Sequence, residues 1–548
     1  MAQTADPDMP NTPQPTPAGY GMWMAFLLAA LAGLAMFCAF PPLDFGGLAW
    51  FAAALFFFAI TQCPTPSTGA AAGAIYGVAF FGPLLWYISA FGFVPWALVV
   101  ILEAAFAAAM GYLAAWLNRL RRPGWRVVGL AALWVIIEYL RAHRGPVSLS
   151  LGSAYYTQWD ELPLLQLASV GGSLLISFYI ALLGSAIATT AVMWLPGRWL
   201  RPDGWGPRMA RDAARALLFA YAAFFAAFFW GSWTYRTGAK ATTSVPETAA
   251  FRVAYVQAAS RSKHMVTQAE AESATEAYFE LTEMVPAGAD LIIWPETAMP
   301  LVLDDRPDLK ERLAKLAREK GSFLLVGTNE RAPAGRLYNS MVLLTPDGKI
   351  IDRYRKVHLV LFGEYVPGRD RFKFLERFPI RPYDYAPGDG FNVLRANRMH
   401  FGVLICFEAL FPEYVRRLCR DGAEFVVVAT SDAWAAGTYE VAQHSRTAIF
   451  RAVEARRYVV RAATHGQSMV ITPFGDRLGV IDIGERGIEH QLVVPLRRLS
   501  FYHRWGDWPL LGFCLLMWLG ACVNILTRKG EHNGPSTDSN PMQHCRLR

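Results

Sequence analysis

What most limits the folds open to this chain is a series of apolar runs of membrane-spanning length. They cover roughly residues 19 to 41, 47 to 62, 70 to 93, 95 to 117, 125 to 141, 163 to 195 and 214 to 233, with an eighth at 507 to 527. A helix needs about 20 apolar residues to cross a bilayer core. The composition agrees, since 54% hydrophobic with only 18% charged residues exceeds what soluble proteins carry. A polytopic α-helical membrane domain of about eight spans is expected. The second run is short and the sixth long, so their ends are uncertain by several residues.

Charge orients the spans. Arg119, Arg121, Arg122 and Arg126 follow the fourth run, Arg198, Arg201, Arg208, Arg211 and Arg215 the sixth, and Arg528 and Lys529 the eighth. With eight spans all three clusters share one side, which the positive-inside rule makes cytoplasmic. Both termini are then cytoplasmic, and the segment between the seventh and eighth spans lies on the periplasmic side of a bacterial inner membrane. A miscount by one span inverts this. The net charge of +8 is accordingly a topology signal, not a nucleic-acid footprint. Residues 1–18, rich in Pro, Thr and Gln without Lys or Arg, read as a disordered tail. The division is a tail at 1–18, a seven-span domain at 19–233, an extramembrane catalytic domain at 245–500, the eighth span at 507–527 and a cytoplasmic tail at 528–548.

The extramembrane part alternates β-rich and helical runs. Residues 251 to 257, 290 to 294, 323 to 327, 340 to 345, 401 to 406, 424 to 430, 458 to 464 and 469 to 472 read as strands, and 264 to 285, 307 to 320, 411 to 421 and 441 to 457 as helices. Strands apolar almost throughout, such as Glu424-Phe-Val-Val-Val-Ala-Thr430, are buried on both faces and imply layered α/β architecture.

Three stretches of this domain carry candidate chemistry. In Phe401-Gly-Val-Leu-Ile-Cys406-Phe-Glu408-Ala-Leu-Phe-Pro412-Glu413 a lone thiol ends a strand just before a Pro-Glu helix start. A helix N-terminus there would lower the thiol pKa and offer N–H groups to an oxyanion. A lone cysteine in such a run is otherwise a small buried hydrophobe. In Leu291-Ile-Ile-Trp-Pro295-Glu296-Thr-Ala-Met-Pro300 a carboxylate stands between prolines at a strand end, as a general base or a solvated loop acid. In Tyr354-Arg-Lys356-Val-His358-Leu-Val-Leu-Phe-Gly-Glu364-Tyr365-Val-Pro367 an ammonium and a carboxylate bracket an apolar loop, after a hairpin turning at Thr345-Pro-Asp-Gly348. Lys356 would favour thiolate and neutralise an oxyanion, or be a surface charge. His358 fits a structural role better than a Cys-His pair. Seven scattered cysteines without a CxxC indicate neither a zinc site nor a disulfide scaffold, although Cys406 and Cys419 could pair by spacing alone. No metal or organic cofactor is indicated. Glu103, inside the fourth span, is either functional or paired within the bundle.

Taken together the three stretches resemble the nitrilase (carbon-nitrogen hydrolase) superfamily, and most closely its membrane branch, the apolipoprotein N-acyltransferases. Further likenesses are Val256-Gln257, Tyr338-Asn339-Ser340, Asp432-Ala-Trp434, Arg451-Ala-Val-Glu454, Arg461-Ala462, Gly506-Asp-Trp508, Phe40-Pro-Pro42 and Glu138-Tyr-Leu-Arg141. The resemblance implies an αββα sandwich with Glu296 as general base, Lys356 as oxyanion stabiliser and Cys406 as nucleophile. Glu364, Glu408, Asn339 and Tyr365 would support them. It implies a phospholipid acyl donor, a diacylglyceryl-cysteine lipoprotein acceptor, a thioester intermediate and no cofactor. The loops 359 to 366 and 372 to 382, dense in Leu, Phe, Tyr and Ile, read as lids over the acyl pocket or as ordinary packing. The chain departs from the family pattern at Ala258-Ala259, Met265-Val266, Leu361, Phe407, Ser431 and Ala435-Ala436. These spare the triad and touch pocket walls. A membrane-tethered amidase or hydrolase with water as acceptor is the alternative.

Overall fold

In the computed structural model of the protein, residues 18–143, 148–194, 207–259, 267–366, 368–369, 371 and 384–531 are described. Outside them lie the expected N-terminal tail up to residue 17, Arg198, Arg201, Met265-Val266, the loop 372–382 and the end of the C-terminal tail with Cys545.

The membrane part runs α1 (Ala18–Cys38), α2 (Leu48–Thr61), α3 (Pro66–Leu84), α4 (Phe93–Trp116), α5 (Pro123–Ala142), α6 (Leu162–Leu165), α7 (Ala168–Gly171), α8 (Leu174–Trp194) and α9 (Pro207–Thr243). Among the described residues six helices are long and apolar enough to cross a membrane: α1, α4, α5, α8, α9 and, at the far end of the chain, α15 (Trp508–Glu531). Of the other two expected spans, α2 has only 14 residues, while α3 has 19 with a stripe of small residues. Gly69, Gly73 and Gly77 of α3 meet Gly111, Ala107 and Ala104 of α4, the close backbone approach that packs helices where no water is expelled.

Two expected spans are corrected. The sixth run is not one helix: it breaks between α7 and α8 at Gly172, whose φ of 70° suits glycine and where a Cβ would strike the Tyr502 ring. The seventh run is only the middle of α9. This helix passes the expected boundary at 233 without interruption, because its last turns rest on the catalytic layer, where Tyr235 donates to Asp476 Oδ1 at 2.6 Å.

The α/β part follows as β1 (Phe251–Gln257), α10 (Gln268–Glu283), β2 (Leu291–Ile293), β3 (Met299–Val302), α11 (Pro307–Lys320), β4 (Phe323–Arg331), β5 (Leu337–Leu344), β6 (Ile350–Arg355), β7 (Val393–Ala396), β8 (Met399–Ile405), α12 (Pro412–Arg420), β9 (Phe425–Thr430), α13 (Glu440–Ala455), β10 (Val459–Ala463), β11 (Ser468–Ile471), β12 (Arg477–Ile481) and β13 (Gly487–Val493), with α14 (Phe501–Trp505) leading to α15. Helix starts follow local chemistry: Thr267 and Glu270 form a capping box before α10, and Pro307 and Pro412 stand at the first turns of α11 and α12. One sheet has the order β13-β1-β2-β4-β5-β6 with β3 on β4, and the other the order β12-β11-β10-β9-β8-β7. The eight expected strands are present with ends shifted by up to four residues. The sequence carries no strand signal for β3, β7, β12 and β13, which are short or half-exposed and lack clean alternation.

The layers are those of an αββα sandwich. Phe251, Val253 and Tyr255 of β1 meet Phe401, Val403 and Ile405 of β8 between the sheets, and α10 and α11 cover the outer face of the first sheet. The outer face of the second sheet, through Leu404, Val426 and Val428, joins α12, α13 and the membrane helices in one apolar cluster. Polar ties lock that junction. Arg446 forms a two-bond pair with Asp44 at 2.6 Å for each bond, Arg456 donates to Gln166 at 2.6 Å, and Ser173 donates to Glu454 at 2.5 Å. Glu103 is paired within the bundle: its carboxylate lies 3.2 Å from Arg141, which also donates to the carbonyls of Leu149 and Leu151.

Candidate active site

Glu296, Lys356 and Cys406 each follow the C-terminal end of a strand, β2, β6 and β8 respectively, so the first two come from one sheet and the thiol from the other. The loops are made by strained backbone. Cys406 itself has φ 56° and Thr297, next to Glu296, has φ 46°, a region that side-chain-bearing residues avoid unless their surroundings enforce it. Gly327 on β4 permits the Glu296 loop, since a Cβ there would collide with the Pro295 carbonyl.

All three side chains are buried, with Lys356 only 1% exposed. Lys356 Nζ lies 2.9 Å from Glu364 Oε1 and 3.4 Å from Glu296 Oε1. Asn339 Nδ2 donates to both acids, at 2.7 Å to Glu296 and 3.3 Å to Glu364. The second oxygen of Glu296 accepts the Ser431 backbone N–H at 2.6 Å, and that of Glu364 accepts the Val360 N–H at 2.9 Å. Burial disfavours the lysine's charge, yet the Glu364 and Glu296 carboxylates outweigh it and hold the ammonium pKa well above its ordinary value.

The thiol does not lie on a helix N-terminus. Residues 406–410 form one 3-10 turn and α12 starts only at Pro412, because Glu408 reaches back to bond the Ile405 N–H at 2.8 Å and closes the turn. The expected lowering of the thiol pKa is therefore corrected. Burial and the charge of Glu296 push it well above the ordinary range, and Lys356 only partly offsets them. These surroundings favour the protonated thiol.

Glu408 is a clamp between loops. It accepts from Val357 N–H at 2.8 Å, His358 N–H at 2.9 Å and Tyr354 Oη at 2.8 Å besides Ile405, tying the lysine loop to the cysteine loop. Glu364 lies beside Lys356, and Asn339 bonds both Glu296 and Glu364. Tyr365 enters through its backbone, its carbonyl accepting from Phe362 N–H at 2.8 Å. His358 is structural: Nδ1 lies 2.9 Å from Tyr414 Oη and the ring packs on Phe411. Cys406 and Cys419 are both free thiols, and burial pushes that of Cys419 up to about 12. In the loop 359–366, Phe362 is an apolar tip 48% exposed. Sequence reasoning missed the Ser431 N–H, the Tyr354 hydroxyl and Thr430, whose hydroxyl donates to Asp432 Oδ1 at 3.0 Å. A backbone donor leaves no mark in a sequence, and Thr430 was legible only as a strand end.

Residues 252–493 match the family described as carbon-nitrogen hydrolase, and residues 32–186 match the apolipoprotein N-acyltransferase N-terminal domain. An apolipoprotein N-acyltransferase of Geobacter metallireducens is 30% identical over 505 residues, covering 88% of this chain and 92% of that protein. The chain belongs to the apolipoprotein N-acyltransferase family. Proteins of that name from Pseudomonas syringae pv. tomato, 30% identical over 90% of this chain and 96% of their own length, and from Azotobacter vinelandii, 29% over 94% and 97%, are similar along the same extent. Among these apolipoprotein N-acyltransferases the likeness spans membrane helices and catalytic layers alike, and the carbon-nitrogen hydrolase match coincides with the sandwich from β1 to β13.

Proposed function

We propose that the protein transfers a fatty acyl group from a membrane phospholipid to the N-terminal amine of an S-diacylglyceryl-cysteine apolipoprotein, the last step of lipoprotein maturation, through a thioester on Cys406. The observation that carries this reading is the meeting of Glu296, Lys356 and a buried Cys406 in a chain of this family. Glu296 takes the thiol proton as Cys406 attacks the ester carbonyl, and Lys356 holds the oxyanion. Collapse returns the proton to the leaving glycerol oxygen and frees a lysophospholipid. The lipoprotein amine then attacks the thioester.

A nucleophile for this donor has to work at the bilayer surface, since drawing an acyl chain into water costs about 0.8 kcal/mol per CH₂. The apolar cluster shared by α12, α13 and the membrane helices supports such a position. In this reading eight helices cross the inner membrane, 245–500 is periplasmic and both termini are cytoplasmic. The test is purified protein with a phospholipid and a diacylglyceryl-cysteine peptide, following peptide mass. Gain of one acyl chain is the expected result, and release of free fatty acid with no gain would establish a hydrolase instead.

A further inference from the structure

One face of α13 carries a buried polar patch that the chemistry above does not use. Glu440, Gln443 and His444, spaced i, i+3, i+4 and so neighbours on the helix surface, are 1%, 3% and 2% exposed. Among the described residues, Glu440 Oε2, both amide atoms of Gln443 and His444 Nε2 have no hydrogen-bond partner. Folded proteins leave few such atoms, because an unpaired buried polar group loses its hydrogen bonds to water without replacement. Four on one patch point to an occupant.

The patch adjoins the nucleophile. His444 Nδ1 lies 2.8 Å from Asp432 Oδ1, and Asp432 also accepts from Arg461 at 2.7 Å and Thr430 Oγ1 at 3.0 Å. The Asp432 charge helps to raise the Cys406 thiol pKa, and the ring of Phe407, the residue after Cys406, is centred 6.4 Å from that of His444. The stretch 436–439 leading into α13 is half-exposed, with Gly437 open to the surface.

The donors and acceptors specify the occupant. Burial alone would raise the Asp432 carboxyl, but Arg461 and His444 hold it well below the carboxylate range, so it stays ionised and accepts a hydrogen bond from the Nδ1–H. In the neutral imidazole Nε2 is then an acceptor. With Glu440 Oε2 and Gln443 Oε1 it makes three acceptors, and Gln443 Nε2 makes one donor. That set matches a primary ammonium, with three N–H groups, followed by a peptide carbonyl. Burial lowers and the Asp432 and Glu440 charges raise the His444 pKa, with a net rise, while burial pushes Glu440 up to about 7.

We propose that the Glu440, Gln443 and His444 face of α13 receives the α-ammonium of the acceptor polypeptide, and that His444 Nε2 takes the proton this ammonium must lose before attacking the Cys406 thioester. The inference rests on the acyl-transfer function proposed above. The N–H bond breaks toward Nε2, and the freed nitrogen lone pair forms the C–N bond. Glu296 takes the second proton from nitrogen as the C–S bond breaks, then returns it to the thiolate. The histidine releases its proton to solvent, so ammonium and thioester become amide, thiol and one proton.

The test separates the half-reactions in the full-length protein. Acyl-enzyme is formed with phospholipid and detected by intact mass, then a diacylglyceryl-cysteine peptide is added and transfer timed. His444→Asn keeps a donor for Asp432 and removes Nε2. It should form acyl-enzyme within about threefold of the unaltered rate and transfer it about a hundredfold more slowly, the scale of one general base. A peptide whose amine is mostly neutral at the assay pH should recover most of that loss. Glu440→Gln should raise the acceptor concentration needed about tenfold without slowing acylation, and it carries the test if His444→Asn does not fold. Transfer by acylated His444→Asn at the unaltered rate, equal losses in both half-reactions, or the same loss with the weakly basic amine overturns this inference alone. An unaltered protein that never takes up an acyl group overturns the function itself.

Discussion

The Ser431 backbone N–H donates to Glu296 Oε2 at 2.6 Å. The proposed base, at the end of β2 in one sheet, is thereby aimed by the end of β9 in the other, and the same carboxylate faces Lys356 through its second oxygen. Because the donor is backbone, the departure from the family pattern at Ser431 leaves this bond in place. Ser431→Asn should retain acylation within about threefold, which the rate of acyl-adduct formation checks, since an amide oxygen can accept the Thr464 hydroxyl that Ser431 Oγ accepts at 3.1 Å while the backbone donor is unchanged.

Nucleophile identity is the simplest prediction. Cys406→Ala should take up no acyl group and Cys406→Ser none that accumulates, because an alkoxide is far harder to generate than a thiolate. Cys419→Ser should stay near full activity, since that thiol is buried on α12 with no place in the site. Intact-protein mass after incubation with phospholipid decides. An adduct that persists in Cys406→Ala would falsify the assignment.

Glu296→Gln keeps shape and removes the base, and Lys356→Met removes the charge. Each should slow acylation by about 10²–10³ with little change in the phospholipid concentration required, because both groups act on charge that develops during reaction. Pre-steady-state acylation rates read the split between binding and chemistry.

Glu408 predicts a pH effect on stability. Burial pushes its carboxyl up to about 7 against the pull of its four donors. The unfolded value is about 4.3. Between the two the folded chain holds the proton that the unfolded chain has lost, so this group's contribution is full below about 4.3 and declines as pH rises toward 7. Thermal unfolding of the detergent-solubilised protein should show that decline, and Glu408→Gln should flatten it.

The junction of membrane and catalytic layers predicts coupling. Arg446 and Asp44 form a two-bond pair that also engages Trp159, whose Nε1 donates to Asp44 at 3.3 Å and whose ring lies under the guanidinium. Arg446→Ala and Asp44→Ala should each lower the unfolding temperature, and the double mutant should lose less than their sum, with a coupling of about 1–2 kcal/mol. Full additivity would show that the pair contributes nothing.

The long apolar helices and the three stretches that hold Glu296, Lys356 and Cys406 were legible in the sequence because each depends on local pattern. Twenty apolar residues in a row have few alternatives, and WPETAMP, KVHLVLFGEYVP and ICFEALFPE carry the triad residues at strand ends. Tertiary structure decided what depends on distant neighbours. Whether residues 163–195 form one helix or several turned on Tyr502 lying against Gly172, more than 300 positions later. Whether the Cys406 thiol is acidified turned on Glu408 closing a 3-10 turn and on the Glu296 charge brought beside it by the sandwich, and the outcome was a raised pKa where helix chemistry alone predicts a lowered one. The polar face of α13 reads in sequence as an ordinary helix surface. Only its burial against the Asp432 turn, which removes water from Glu440, Gln443 and His444, makes their unpaired atoms costly and therefore informative.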